Sequence, residues 1–336
     1  MVKLIVDAMG GDYSPAVNVE GSLLALENLK DVSITLVGKE DEINRLLKDK
    51  KYDTTRLSVI NADDVISCND KPTEAMRVKK ESSLYKSYEL LRTDDSYGGM
   101  VSIGSTGAVL AGSVMRLGRI KEVSRPALVP TLPTFQGDNI VALCDAGANA
   151  ECTPQQLNQF ATMGSFYLKK AYGVENPRVG LLNIGTEENK GDTLRKEAYQ
   201  LLMKNEKINF VGNLEGRDFL SGDYDVVVCD GFSGNVLLKS TEGACVGMMK
   251  LIKGALYKNF KTKIGALLVK DEMYKVKGKM DYNEQGGAAL LGVKKTIVKG
   301  HGGSKSKSVY KCIEQAYIME KSGLRKDITE GLKEEA

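Results

Sequence analysis

The chain is expected to be α/β, a mainly parallel sheet covered by helices on both faces with a helical hairpin projecting from it. Two patterns predict this. Short β-branched runs alternate with longer amphipathic segments almost from end to end, and strand after strand stops in glycine and small polar residues. At 336 residues and 42% hydrophobic content, the chain can bury the core of one large α/β domain or two smaller ones. The reading adopted is one catalytic domain over residues 1–336, with a hairpin insertion over 242–282.

In chain order, the strand KLIV (3–6) leads to a helix over 16–29, VSITLV (32–37) to one over 39–48, and LSVIN (57–61) to a long helix over 73–92. MVSIG (100–104) precedes a helix over 106–117, NIVALCD (139–145) one over 153–172, and RVGLLNIG (178–185) one over 192–204. INFVG (208–212) comes next; DVVVCD (225–230) precedes a helix over 234–260, and KTIVKG (295–300) one over 305–321. The polar tail RKDITEGLKEEA is expected to fray. No internal repeat or low-complexity linker interrupts the pattern.

Composition removes several function classes. The first apolar run is too short for a secretory segment and no run approaches the roughly 18 residues of a membrane span, which points to the cytosol. Six scattered cysteines without a C-x-x-C pair suit reduced thiols better than a disulfide framework or a zinc site. A single histidine, His301, excludes multi-histidine metal centres. A net charge of +3 with no tryptophan offers neither the basic footprint nor the stacking surface of a nucleic-acid binder.

The segments that follow the strands carry the functional information. DAMGGD (7–12), GSTGA (104–108), DAGAN (145–149), NIGTEENKG (183–191), GNLEGRD (212–218), DGFSGN (230–235) and GHGGS (300–304) would gather at the carboxyl edge of an open parallel sheet, where ligands bind. The pair Gly10–Gly11 frees the backbone to turn and lets an anion approach main-chain N–H groups. The alternative is a plain strand-to-helix turn capped by Asp12 and closed by Pro15. No G-x-x-x-x-G-K-[ST] occurs and no G-x-G-x-x-G follows the first strand. The nucleophile elbow is also missing, since GFSGN has its second glycine one position early. Such an edge is built to hold an anion rather than to present a nucleophile. Lys190, Arg217 and Lys239, each close to a glycine, supply the cations a phosphate needs, although a lysine beside Glu187 and Glu188 also suits a solvated ion pair.

As a set, VDAMGGD, STGA, RPAL, LPT, DAGAN, LLNIGTEENKG, VGNLEGRD, VVVCDGFSGNVLLK and KGHGGS resemble the bacterial phosphate acyltransferases, the acyl-carrier-protein:phosphate transacylases of phospholipid synthesis. The likeness runs in order over nearly the whole chain. It departs at Tyr13, where the family usually has His, at Ser105, usually Asn, and at Lys305, often acidic or small. The resemblance implies transfer of a long-chain acyl group from acyl carrier protein to inorganic phosphate without metal or cofactor. It also implies a fold akin to phosphotransacetylases and isocitrate dehydrogenases, and a homodimer. Carried over by motif, Lys190 and Asn235 are the catalytic residues: Lys190 neutralises phosphate, and Asn235 hydrogen-bonds the thioester carbonyl as it becomes an oxyanion. Asp7, Gly10, Gly11, Thr106, Gly107, Asn149, Glu187, Arg217, Asp230, Gly234 and His301 would line the pocket. Phosphate, anionic near neutral pH, can attack a thioester with no serine or cysteine relay.

Residues 244–270 carry six lysines and no acid, interleaved with Met248, Leu251, Ile252, Leu256 and Phe260 and followed by GALLV. A basic amphipathic hairpin of this kind could rest on the inner face of an anionic membrane, dock the acidic carrier protein, or pack as an ordinary helix with a solvated face. Two other activities fit the residues: a phosphotransacetylase acting on acyl-CoA, and a non-catalytic sensor of phosphate or acyl groups.

Overall fold

The computed structural model describes residues 1–279 and 286–333. Its strands are β1 (Val2–Asp7), β2 (Val32–Gly38), β3 (Leu57–Asn61), β4 (Tyr97–Ser102), β5 (Ala127–Val129) and β6 (Thr131–Pro133), then β7 (Ile140–Cys144), β8 (Arg178–Asn183), β9 (Asn209–Glu215), β10 (Val226–Val228), β11 (Ala288–Leu291) and β12 (Thr296–Lys299). They form two sheets rather than one, ordered β3-β2-β1-β4-β12-β11-β5 and β6-β7-β10-β8-β9. Pairing is parallel except at β11, which runs against β12 and β5, and at β6, which runs against β7. The three strands not expected from the sequence, β5, β6 and β11, are short and include all the antiparallel pairing; Pro130 and Pro133 break the run that holds two of them.

Register decides where the loops emerge. Val6 lies level with Val101, and Val101 with Val298, so the chain leaves β1, β4 and β12 side by side. In the second sheet Val228 is level with both Cys144 and Leu181, which aligns the exits of β7, β8 and β10. One buried cluster spans both sheets: Leu4 and Val6 of β1, Ala142 of β7 and Val226 of β10 share it with Phe160 and Tyr167. The last two lie on the helix Pro154–Tyr172, which starts at a Thr153–Gln156 capping box and ends at Gly173 with φ 71°.

Several element boundaries differ from the sequence expectation for local reasons. The long helix over 73–92 is two, Pro72–Val78 and Ser83–Thr93, because Ser82 bonds Lys79 O at one end and caps Tyr85 N at the other. Asp12 does not cap the first helix, whose N-cap is Pro15; its N–H instead donates to Gly302 O at 2.9 Å. The polar tail does not fray where it is described: Leu324–Leu332 is helical and buries Leu324, Ile328 and Leu332, an i, i+4, i+8 stripe. Lys170 pairs with Asp327 at 2.8 Å across that contact.

The predicted hairpin is an arm of three helices, Gly231–Leu256, Phe260–Leu268 and Lys270–Lys279. The first ends before Tyr257, and Asn259 opens the second through a reciprocal bond with Thr262. Lys258 and Lys261 therefore do not continue the helical face of Lys250 and Lys253. Ala266 is the one buried side chain among those described between 243 and 279, and residues 280–282 of the expected insertion lie outside the described residues.

Candidate active site

The glycine-rich loops divide between the two sheets. Those after β1, β4 and β12 form one cluster, and those after β7, β8, β9 and β10 form a second.

In the first cluster Asp7 is 2% exposed and accepts from Ser83 Oγ at 2.6 Å and Ser102 Oγ at 2.7 Å. Burial pushes its carboxyl up, while these bonds and the N–H groups of Met9 and Gly10 pull it down. Asp7 thus holds the loop from beneath and does not line the pocket as expected. A Cβ at Gly10 would lie 2.7 Å from Gly104 N and 2.8 Å from Asp7 Oδ2, so this glycine permits two backbones to touch. Gly11 has φ +93°, and a Cβ there would strike Ile103 at 2.6 Å. The Gly-Gly pair therefore locks the β1 loop against the β4 and β12 loops. Thr106 opens the short helix Thr106–Gly112, whereas Gly107 packs against Pro72, whose Cγ would lie 2.6 Å from a Cβ there.

The second cluster repeats the device with a residue the sequence analysis did not single out. Asp145 is fully buried; its Oδ1 accepts from the N–H groups of Leu128, Gly147 and Ala148, and its Oδ2 from Asn149 N and Nδ2. Asn149 also donates to Pro126 O at 2.8 Å and accepts from Gly231 N at 2.7 Å, so it joins this loop to the start of the arm helix. Asp230 caps that helix through Ser233 N at 2.9 Å and also accepts from Ser233 Oγ and Arg195. At 5% exposure it positions the helix and does not line the pocket as expected. Gly234 is required by packing: a Cβ there would sit 1.9 Å from Asp145 O. One residue on, Asn235 lies with its Cβ 3.6 Å from the place a Gly147 Cβ would take.

Lys190 sits on the loop after β8. Asn183 Nδ2 holds its carbonyl at 3.2 Å and Asn213 Nδ2 holds Glu187 O at 2.9 Å, while Asn213 Oδ1 is buried with no hydrogen-bond partner. The Lys190 side chain is about half exposed and meets Glu187 at 3.9 Å, a loose surface pair that leaves it able to turn to a ligand. Five residues later Arg195 reaches Asp230 and Ser233, which ties this loop to the helix of Asn235. Arg217, by contrast, is 79% exposed and paired with its neighbour Glu215.

The clusters meet through the arm helix. His301 Nδ1 accepts from Gly303 N at 3.1 Å, and burial together with Lys299 and Lys239 lowers its pKa, while Glu242 and Asp12 oppose that. Lys239 and Glu242, 2.7 Å apart on the second half's helix, are thus close to the β12 loop of the first half. Lys299, also not singled out from the sequence, is 8% exposed at the end of β12; burial lowers its pKa to about 8 and Lys239 adds to the effect. Tyr13 and Lys305 are partners, the ammonium lying 3.1 Å from the ring centroid. The two glycine-lined edges meet at this helix, with Lys190 and Lys239 on the side of the second sheet and Lys299 and His301 on the side of the first, and the candidate site is the cleft these groups would frame.

The family described as "Fatty acid synthesis protein" matches residues 2–326. The phosphate acyltransferase of Caldanaerobacter subterraneus subsp. tengcongensis is 46% identical over 334 residues, covering 99% of this chain and 97% of the relative. That of Streptococcus pneumoniae is 47% identical over 320 residues, 95% of each. The chain belongs to the phosphate acyltransferase family. Among solved structures, a phosphotransacetylase from Streptococcus pyogenes superposes with a TM-score of 0.63 at 17% identity, covering 95% of this chain and 94% of that one. A putative 4-hydroxythreonine-4-phosphate dehydrogenase from Salmonella typhimurium gives 0.51 at 13% identity, covering 95% and 99%. These two share the fold.

Proposed function

We propose that the protein is a phosphate acyltransferase that moves a long-chain acyl group from acyl carrier protein to inorganic phosphate, giving acyl phosphate for phospholipid synthesis. Whole-length kinship with phosphate acyltransferases carries the reading, and the cations gathered near His301 at the loop edges support it. A phosphate oxygen attacks the thioester carbonyl carbon. As the C–O bond forms, the carbonyl oxygen gains charge beside Asn235; the C–S bond then breaks and the carrier leaves as a thiolate that takes up a proton. Lys190 neutralises the attacking phosphate, with Lys239 and His301 on the facing wall. Phosphate is already an anion, so positioning and charge stabilisation supply the rate.

The arm is assigned to the surfaces this chemistry needs. Leu267 and Leu268 are 72% and 83% exposed beside Lys263 and Lys270, which suits a reversible contact with an anionic membrane. Exposed Val246, Met248 and Leu251 on the first arm helix suit a homodimer contact. Among the described residues no helix is long and apolar enough to cross a membrane, in keeping with peripheral attachment at the inner membrane face of a cytoplasmic enzyme.

Purified protein assayed with palmitoyl-carrier protein, palmitoyl-CoA and acetyl-CoA, each with phosphate, tests the activity. Acyl phosphate formed fastest from the carrier protein is expected. Preference for either CoA ester would make the protein a phosphotransacetylase-like enzyme, and no product from any donor would leave a sensor.

A further inference from the structure

Beyond the cleft, the arm encloses a cavity of about 510 Å³ that none of the chemistry above uses. Leu132 and Leu220 of the second half form its floor, and Cys245, Met249, Ile252 and Leu256 of the first arm helix form its wall. We infer that this cavity is the acyl-chain site, the place where the hydrocarbon tail of the thioester lies during transfer; the inference rests on the activity proposed above.

Three observations carry it. The cavity and the candidate site share a single helix: Asn235 stands in its first turns, Glu242 acts on His301, and Thr241 and Glu242 already line the cavity. The lining residues Thr241, Cys245, Met249, Ile252 and Leu256 recur at intervals of three and four, so one stripe runs outward from the reacting centre. At 1.5 Å per residue that stripe is about 22 Å long, against roughly 15 Å for the hydrocarbon of one lipid leaflet. The size also fits: if a methylene takes about the 30 Å³ of a water molecule in the liquid, the cavity has room for on the order of 15 of them.

The chemistry of the walls points the same way. The described lining is dominated by aliphatic, methionine and tyrosine side chains, and methionine adapts its shape to a flexible chain. Lys250, Lys253 and Lys270 contribute to the rim, where their stems can cover apolar surface while the ammonium groups stay in water. The far side is closed only by the arm, through Ala266 and Met273, and most of the arm is half-buried or exposed. A chain can therefore be admitted by movement of the arm without opening the core.

The test is chain-length discrimination in the full-length enzyme. Cys245→Trp fills the cavity near its inner end and Ile252→Trp near its outer end. Each methylene denied burial costs about fourfold, so excluding three or four of them predicts a fall of about 10² in kcat/KM for a sixteen-carbon donor. An eight-carbon donor should stay within about threefold of wild type in Ile252→Trp, and the chain length at which activity drops should be shorter in Cys245→Trp. Equal effects on all chain lengths, or none, would overturn the assignment and leave the activity standing. A change of oligomeric state without chain-length ordering would also overturn it, and would give the cavity to a second copy of the chain. A measurement on the unmutated protein decides independently of folding and turnover. Palmitoyl-pantetheine should slow alkylation of Cys245 at least tenfold, and octanoyl-pantetheine less, while alkylation of exposed Cys68 serves as the reference. Unslowed Cys245 would refute the site. If wild type makes no acyl phosphate while Cys245 is still protected, the activity fails and the binding site stands.

Discussion

Lys299→Met isolates the cost of keeping a cation inside the edge of the first sheet. The side chain is 8% exposed, and burial, aided by Lys239, takes its ammonium from 10.5 to about 8. That displacement corresponds to about 3 kcal/mol, at about 1.4 kcal/mol for each pH unit. Below about pH 8 folded and unfolded chains both hold the proton, and the folded state bears the whole cost. Between about pH 8 and about pH 10.5 only the unfolded chain stays protonated, so the cost fades as pH rises. Methionine keeps the apolar stem and cannot titrate. Denaturant unfolding of both proteins should show the variant losing about 2 kcal/mol relative to wild type between about pH 7.5 and about pH 9.5. The same charge acts on His301, a proposed phosphate-site residue, so the wild-type KM for phosphate should climb across this interval and that of the variant should stay flat. A stability difference that does not change with pH would refute the reasoning.

Asn235→Ala should lower turnover by at least about 10², the usual cost of one oxyanion donor, and Lys190→Ala should in addition raise the phosphate concentration needed for half-saturation; wild-type turnover in folded protein would remove either from the site. Gly234→Ala places a Cβ 1.9 Å from Asp145 O, so it should destabilise by about 1–3 kcal/mol or more in thermal unfolding, and an unchanged midpoint would contradict the close packing described. Replacing Leu267 and Leu268 together by glutamate should abolish salt-sensitive binding to anionic vesicles while soluble transacylase activity largely persists; wild-type sedimentation with vesicles would end the membrane assignment.

Legibility from sequence followed how locally each feature is encoded. The strands β1, β2, β7 and β8 were readable within a few residues, because an apolar run and the glycine at or soon after its end are both local signals. What was not readable is their division into two sheets, since parallel partners are chosen by packing rather than by neighbouring sequence. The tail shows a different failure: its overall polarity hid Ile328 and Leu332, whose spacing from Leu324 already marks a helix face. At the site, the quoted loops contain the groups that matter, but not in the roles assigned to all of them. Asp7 and Asp230 look like ligands in a motif and are buried structural parts in space, and Gly107 packs against Pro72. Asp145 and Lys299 stood inside the quoted segments and were passed over, because five converging N–H groups and a dry environment are properties of the folded chain alone.

The central claim is that phosphate attacks the thioester directly in the cleft. It is tested most directly by mixing enzyme with carrier protein bearing a radiolabelled palmitoyl group, with and without phosphate, and quenching within one turnover. The six cysteines are free, and burial pushes the thiols of Cys144, Cys152, Cys229, Cys245 and Cys312 up, away from the thiolate that covalent transfer would need. Without phosphate the label should stay on the carrier; with phosphate it should pass to acyl phosphate, with none on the enzyme at any time. Stoichiometric label on the enzyme before phosphate is added would contradict direct attack.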